Sequence, residues 1–477
     1  MAAHGYYRIL LHEKTFVRAQ QYLKDLLTKE QSPGTYLAKA LSQVKLDKID
    51  IDTFLDLLVN TKRPQIYAES AVCGDGSDWN MTELSILGDI SVAVGVEVYD
   101  NGHHTAPQVH SNPFNATLIY VPGALLENMQ GHTPADYEAV TTDGQLDLEK
   151  YYELYERRLL PGLLYANWWA KDKNTKAFIT IPGLGCGCFA GEFRGELGTL
   201  LADTIEAILN NNSHFFSHIK GVYFDPYNEA ENKEVVIEGI SYFVRPLLKS
   251  NKGKSQLCAV EEYENGNFSD CEFFSVVAWD HVSWPGNDFY IDSRATDDGV
   301  KAAATDSMYI LTKTEGSYNI NTKSYAPPAE FKNWYHVVNK KGKRLDAKYG
   351  HIVLPVKKKE VEFNHHSLPD ELSRFLEDFL SDTGSSTNEA KPNPKENLCD
   401  YIDPTVNSTF GLLSKLRPHL DIFSPVPEDE REYPGPGKYL ESYPRSDGGM
   451  DIVEIEVFED GSSWVRDSST IDKKKHK

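Results

Sequence analysis

The 477-residue sequence has few cysteines, a deficit of positive charge and no long hydrophobic run. Six cysteines are too few for a disulfide framework in a chain of this length, so we expect reduced thiols and a cytoplasmic protein. A net charge of −22 disfavours nucleic acid and anionic membrane surfaces as partners. No stretch approaches the roughly 20 apolar residues of a membrane-spanning helix. The first apolar patch is interrupted at residues 12–14, which does not fit a signal peptide.

Hydrophobic periodicity divides the chain into four regions. Residues 1–63 follow a helical spacing and predict a helical cap. Residues 64–320 alternate short apolar runs with amphipathic stretches, which predicts a three-layer α/β domain whose strands are buried on both faces. Residues 321–380 are a mixed extension. Residues 381–477 are rich in Ser, Pro, Gly and acidic residues, which predicts a loosely ordered tail with one hairpin over Ile452–Trp464.

Within the α/β region, the apolar runs predict strands and the amphipathic stretches predict helices. The predicted strands are Gln65–Val72, Ser91–Tyr99, Thr117–Val121, Ala177–Ile181, Gly221–Phe224 and Phe273–Trp279, and the predicted helices are Leu146–Trp169, Glu196–Leu209 and Thr296–Leu311.

The first candidate site is a glycine-rich loop, residues 183–191, between a predicted strand and a predicted helix. Gly183, Gly185 and Gly187 let the backbone approach a ligand closely. Amides of the loop and of the helix start would then bind a diphosphate. The alternative is a tight strand-to-helix turn that binds nothing.

The same loop admits two weaker interpretations. Residues 185–190 fit the loose G-x-G-x-x-A pattern of dinucleotide-binding oxidoreductases. Those folds need an acidic residue about 20 positions later on the next strand, whereas the nearest one here, Asp225, lies about 35 residues beyond Ala190. Cys186 and Cys188 lack a second pair of Cys or His at a matching spacing, so we expect no metal site.

The second candidate site follows the last strand predicted in this region. Asp280 comes directly after the strand, Asp288 lies in the loop and Asp298 lies near the start of the next helix. Ligands of open α/β sheets bind at the carboxyl ends of strands. Carboxylates held close together can supply the acid and base for glycosidic cleavage. The alternatives are that Asp297 and Asp298 stabilise the helix dipole and that Asp280 is a solvated loop acid.

These motifs resemble parts of known macrodomains. The loop at 183–191 is similar to the diphosphate loop of poly(ADP-ribose) glycohydrolase-type macrodomains, in which a Gly-Cys-Gly-x-Phe core follows a buried strand. The three aspartates resemble those of the MavL-like ADP-ribosylhydrolases. The resemblance covers about residues 64–315. It implies a macrodomain-like mixed sheet with permuted or rearranged topology, because here the catalytic loop follows the phosphate loop.

The resemblance also implies a function. It implies a hydrolase that removes ADP-ribose from ADP-ribosylated arginine on a protein, with ubiquitin as that protein and no cofactor. The Gln-Glu-Glu pattern of the polymer-cleaving enzymes is missing, which favours a mono-ADP-ribose substrate. A chain with a net charge of −22 would suit an arginine-bearing partner surface. The main alternative is a macrodomain that reads ADP-ribose without cutting it.

The implied site residues fall into three groups. Asp280, Asp288 and Asp298 would be catalytic, with Asp288 or Asp298 as the base and Asp280 orienting the ribose hydroxyls or the departing guanidinium. The diphosphate would be held by Gly183, Gly185, Cys186, Gly187, Cys188 and Phe189. The adenine contacts are suggested by position and not by the resemblance: Glu69 or Asp89, each near a strand end, would accept the adenine amino group, and Tyr67 would stack on the ring. The alternative is that these acids are plain surface residues.

Overall fold

The computed structural model describes residues 7–45, 49–66, 78–127, 134–343, 345 and 351–354, together with strands at 437–444, 450–457 and 463–470. These parts fall into two compact units, one within residues 1–401 and the other within residues 402–477. None of the helices in these ranges is both long and apolar enough to cross a bilayer.

A nine-stranded mixed sheet lies at the centre of the first unit. In chain order its strands are β1 (Tyr7–His12), β2 (Ser91–Asp100), β3 (Val109–Pro122), β4 (Lys176–Pro182), β5 (Ile219–Asp225), β6 (Lys233–Ile237), β7 (Ile240–Val244), β8 (Cys271–Trp279) and β9 (His351–Leu354). In space they run β9-β1-β2-β3-β8-β4-β5-β7-β6, and all are parallel except β2 and β6. The late strand β8 therefore lies between β3 and β4.

Besides a four-residue helix at Tyr137–Val140, the α-helices described in the first unit are α1 (Glu13–Thr28), α2 (Thr35–Leu41), α3 (Ile51–Val59), α4 (Met81–Gly88), α5 (Leu148–Asp172), α6 (Leu197–Asn212), α7 (Asp297–Ala304), α8 (Ser307–Thr312) and α9 (Trp334–Lys341). The side chains of Asp50, Asp147 and Thr296 accept backbone amides at the starts of α3, α5 and α7. These residues are N-caps, which explains where the three helices begin.

Alternate strand residues contribute to two separate hydrophobic cores. Phe178 of β4 belongs to one core and its neighbour Ile179 to the other, and Leu118 and Ile119 of β3 divide in the same way. Helices α5 and α6 cover one face of the sheet, and α1–α4 and α7–α9 cover the other. The predicted three-layer α/β architecture with a rearranged strand order is confirmed.

The helical prediction for the first 60 residues is wrong at Tyr7–His12. All six of these residues are buried, and they form β1 inside the sheet. The amphipathic spacing that indicates a helix starts only in α1, where one face is exposed. Residues 1–63 and 64–320 thus belong to one compact unit.

The single helix predicted over Thr296–Leu311 is two helices, α7 and α8. Between them, Thr305 pairs with Val98, and the Asp306 carboxylate accepts the Glu97 amide at 2.8 Å. These contacts with β2 hold residues 305 and 306 outside helical geometry.

The strand predicted at Gln65–Val72 is absent at its first two positions, Gln65 and Ile66, where the chain is irregular. The rest of that prediction lies outside the described residues.

The second unit contains an antiparallel three-stranded sheet. Its strands are Gly437–Pro444, Met450–Val457 and Ser463–Thr470. The last two pair with each other, which confirms the hairpin predicted over Ile452–Trp464. The Asp460-Gly461 turn and residues 381–436 of the predicted tail lie outside the described residues.

Matched Val→Ala substitutions test the assignment of the core. Val222 in β5 is fully buried, whereas Val236 in the edge strand β6 is 70% exposed. Val222→Ala should lower the free energy of unfolding by about 2 kcal/mol, because it removes buried methyl groups and leaves a cavity. Val236→Ala should change it by less than about 0.5 kcal/mol. Urea unfolding followed by tryptophan fluorescence measures both, and equal effects would contradict the burial described here.

Candidate functional site

The two candidate loops lie at the same edge of the sheet. β4 and β8 are neighbouring parallel strands, so their carboxyl ends meet at one edge. The glycine loop (residues 183–191) follows β4, and the aspartate loop (residues 280–296) follows β8. The ring centroids of Phe189 and His281 are 6.3 Å apart. One nucleotide-sized ligand can therefore contact both loops.

A third loop, Gly123–Glu127, joins these two. It follows β3, the other neighbour of β8. The Gly123 amide donates to the Trp279 carbonyl at 3.3 Å, and the Leu126 amide donates to the Phe189 carbonyl at 2.8 Å. The β3 loop is thus bonded to the end of β8 on one side and to the glycine loop on the other.

Close backbone approach explains the glycine at position 185. Gly185 has φ +72°, and a Cβ there would lie 2.8 Å from the amide nitrogen and 2.9 Å from the carbonyl oxygen of Ala124. The buried Tyr155 hydroxyl donates to the Leu184 carbonyl at 2.7 Å and accepts the Ala124 amide at 3.1 Å. Only glycine fits this position without moving the β3 loop.

The exposed part of the glycine loop is its centre. Gly187 and Cys188 are exposed and Phe189 is half-buried, whereas Gly185 and Cys186 are buried. A Cβ at Gly187 would meet nothing within 4 Å. In the part of the chain that the structure describes, no acceptor receives the amides of Gly187 or Phe189. These amides are the donors that the loop can offer to an anion.

The Cys186 side chain is not part of that exposed centre. Burial raises the pKa of its thiol well above the ordinary value, and the charge of Glu229 adds to the shift. Cys186 is therefore a neutral thiol packed beneath the loop.

Two amides at the start of α6, where the diphosphate was expected to bind, are already bonded within the chain. A short 3-10 helix, Cys188–Phe193, separates the glycine loop from α6. At the start of α6 the Glu229 carboxylate accepts the amides of Gly195 and Gly198, at 3.2 and 2.8 Å. A carboxylate from the chain itself already occupies this anion-binding position.

Asp298 organises the aspartate loop. Its two carboxylate oxygens accept the amides of Gly286 and Asn287, at 2.6 and 2.7 Å, and its side chain is almost fully buried. Burial raises the pKa of Asp298 well above its ordinary value, and the two amide hydrogen bonds oppose the shift because they stabilise the ionised form.

Asp288 and Asp297 fasten the same loop to its neighbours. Asp288 is buried, and its Oδ2 accepts the backbone amide of Thr296 at 3.1 Å. Thr296 is the N-cap residue of α7. Asp297 Oδ2 accepts the Ala278 amide at 2.8 Å and the ammonium of the buried Lys301 at 3.0 Å. The first turn of α7 is thereby attached both to the loop and to the end of β8.

Asp280 differs from the other two predicted aspartates in its exposure. Asp280 is half-buried, whereas Asp288 and Asp298 are each 4% exposed. Its Oδ2 accepts Asn287 Nδ2 at 2.9 Å. Asn287 Oδ1 in turn accepts the Ile66 amide at 2.9 Å. Sequence analysis missed Asn287 as a link within the site, although it directly precedes Asp288.

A buried ionic network lies behind the loops. Arg158 of α5 binds Asp89 and Asp136, at 3.1 and 2.7 Å, and Asp136 contacts His281 Nε2 at 2.9 Å. Arg158 also donates to the Gly123 carbonyl at 2.8 Å. Burial alone would raise the pKa of Asp136, but Arg158 and His281 hold this pKa well below its ordinary value. The network fixes the β3 loop and the residue next to Asp280.

Two predicted site residues cannot be placed, since Tyr67 and Glu69 lie outside the described residues. Where side chains are described, no group of three or more His, Cys, Asp or Glu is arranged to hold a metal ion.

Amide hydrogen exchange tests the role of Asp298. In Asp298→Asn the side-chain NH₂ replaces one acceptor, so one of the Gly286 and Asn287 amides loses its partner. Exchange of these amides should accelerate roughly ten-fold or more, which corresponds to ~1–3 kcal/mol for an unsatisfied buried donor. The control Asp280→Asn keeps an acceptor for Asn287 Nδ2 and should leave this exchange nearly unchanged. Unaltered exchange in Asp298→Asn would show that the Asp298 carboxylate does not hold these two amides.

Comparison with known proteins identifies the family of this chain. The sequence matches the family model described as macrodomain effector MavL over residues 7–331, which is more than half of the chain and includes both loops. A search of curated proteins gives no significant match. The match confirms the resemblance and extends it beyond residues 64–315 to include β1 and α1–α4. The chain belongs to the MavL macrodomain effector family, whose function is related to ADP-ribose.

Proposed function

We propose that the protein is an ADP-ribosylhydrolase that removes ADP-ribose from an arginine side chain of a modified protein, with ubiquitin as the expected target. Membership of the family supports ADP-ribose as the ligand. Hydrolysis is supported chiefly by one observation, the position of a carboxylate-rich loop beside a glycine loop at one sheet edge.

In this proposal the glycine loop holds the diphosphate. The amides of Gly187 and Phe189 donate to phosphate oxygens, next to the open space at Gly187. The distal ribose then lies towards the aspartate loop, where Phe189 and His281 are neighbours. Tyr67 and Glu69 remain the proposed adenine contacts.

The reaction is N-glycosidic cleavage at the distal ribose. The bond between C1″ and the guanidine nitrogen breaks, and a water oxygen forms the new bond to C1″. The water gives a proton to a carboxylate, and the released guanidine takes up a proton. Negative charge beside C1″ stabilises the oxocarbenium-like transition state.

We assign the contact with water or ribose to Asp280 and the positioning of the loop to Asp288 and Asp298. Asp280 is the half-buried member of the set, whereas the other two are buried and accept backbone amides. This assignment differs from the initial expectation that Asp288 or Asp298 is the base.

The resemblance to the family implies ubiquitin as the target, and the charge and cysteine content are in keeping with the proposed target and location. A net charge of −22 favours a partner surface that carries arginines. The described cysteines Cys186, Cys188, Cys258 and Cys271 are all free thiols, in keeping with the proposed cytoplasmic location.

A reader of ADP-ribose is the second candidate. It is favoured by the hydrogen bonds of Asp288 and Asp298, because carboxylates that only hold a loop would give binding without cleavage.

Linkage-resolved hydrolysis tests the proposal. We expect the protein to release ADP-ribose from arginine-modified ubiquitin and not from serine- or glutamate-modified proteins. Asp280→Asn should lower kcat by about 100-fold or more, in the range of lost acid–base catalysis. Release is measured by chromatography and mass spectrometry.

The control for this experiment is Asp270→Asn. Asp270 pairs with Lys220, which lies at the amino end of β5, away from both loops. Its replacement should leave turnover unchanged. Tight binding of ADP-ribose with no release from any linkage would select the reader, and full activity of Asp280→Asn would refute the assigned role.

A pair of glycine variants tests the diphosphate site. Gly185 and Gly239 both have positive φ, +72° and +88°, but only Gly185 is crowded by the β3 loop. Gly185→Ala should displace the loop and weaken ADP-ribose binding by about ten-fold or more. Gly239→Ala carries similar backbone strain at the β6–β7 turn and should bind normally. Calorimetry measures both affinities, and equal binding would argue against this loop as the diphosphate site.

A further inference from the structure

Lys62, which follows α3, is buried against the two residues that flank Asp280. Its side chain is 1% exposed. The Lys62 ammonium donates to the His281 carbonyl and, at 3.5 Å, to the Leu87 carbonyl, and it lies 4.1 Å from the centroid of the Trp279 ring. Trp279 precedes Asp280 and His281 follows it. Lys62 therefore contacts the residues on both sides of this aspartate.

Backbone pairing fixes Lys62 in this place. The Arg63 amide donates to the Val282 carbonyl at 2.8 Å, and the Trp284 amide donates to the Arg63 carbonyl at 2.7 Å. The Trp284 indole also donates to the Lys62 carbonyl at 3.2 Å. The segment after α3 is thus joined along its length to the aspartate loop.

We propose that Lys62 is a positioning residue for the hydrolysis, which fixes the backbone on both sides of Asp280 and places a buried ammonium near its carboxylate. This inference rests on the proposed function. It assigns the N-terminal helical segment a part in the site, beyond its role as a cap over the sheet.

The electrostatics around Lys62 support a partnership with Asp280. Burial lowers the pKa of Lys62 to about 7, the carboxylate of Asp280 opposes this shift, and Arg158 of α5 adds to it. Among the described residues, His281 also interacts electrostatically with Lys62. Desolvating an ammonium is costly, and the nearby carboxylate offsets part of that cost.

The first experiment needs no enzymatic activity. The pKa of Lys62 is measured by NMR titration of the ¹⁵N-labelled lysine ammonium in the full chain, with Lys62→Met used for assignment. In Asp280→Asn the Lys62 pKa should fall below its wild-type value, because the opposing carboxylate is gone. An unchanged Lys62 pKa in Asp280→Asn would show that Lys62 and Asp280 do not interact, even if the protein binds ADP-ribose without cleaving it.

The second experiment separates positioning from stability. Lys62→Met should lower kcat on arginine-modified ubiquitin at least ten-fold, leave KM within about two-fold and move the acid limb of the pH profile to higher pH. A purely structural role would lower the melting temperature and leave the profile of the folded enzyme unmoved. That result would overturn the proposal.

Lys220→Met is the matched control. The Lys220 ammonium also pairs with a carboxylate, Asp270 at 2.7 Å, and lies 5.7 Å from the Phe268 ring centroid, but at the amino end of β5. This variant should keep the wild-type kcat and pH profile. If Lys62→Met has the same kcat and pH profile as Lys220→Met, Lys62 has no positioning role. If wild-type protein releases no ADP-ribose from any linkage, the proposed function fails, and the titration alone decides the Lys62–Asp280 pairing.

Discussion

The site depends on the parallel pairing of β8 with both β3 and β4. This pairing brings a strand from late in the sequence between two earlier strands, and it sets three loops side by side at one edge. Because the carboxyl ends of parallel strands coincide, the glycine loop and the aspartate loop meet although about 90 residues separate them. Without this order of strands, neither loop would have the other as a neighbour.

Polar groups that are buried, rather than regular secondary structure, then fix the shape of the loops. The Asp298 carboxylate binds two amides of its own loop, and Arg158 joins the β3 loop to the Asp136–His281 pair. Such groups are expensive to desolvate and contribute little net stability, but an alternative loop conformation would leave them unpaired. These buried groups therefore favour one conformation of the loops that follow β3, β4 and β8.

Local sequence signals predicted much of this fold. Continuous apolar runs identified strands β2–β5 and β8, since strands buried on both faces need no alternation. The positions of Asp280, Asp288 and Asp298 after a strand predicted that their side chains converge on one pocket. Hydrogen bonds join Asp288 and Asp298 to the segment between β8 and α7, but only Asp280 of the three is half-buried. Short edge strands such as β6 and β9 gave no comparable signal.

Contacts between distant segments could not be predicted. Asp136 and His281 are 145 positions apart, and Glu229 lies 31 positions beyond the helix start that it caps. Neither pairing leaves a local pattern in the sequence. The strand β1 was also missed, because its pairing with β2 and β9 involves residues that are distant in the sequence. A crystal structure of the full chain with ADP-ribose tests the central claim most directly. The account predicts diphosphate oxygens within hydrogen-bonding distance of the Gly187 and Phe189 amides and the distal ribose in contact with Asp280. A ligand bound away from this edge, or with its ribose pointing away from the aspartate loop, would contradict it.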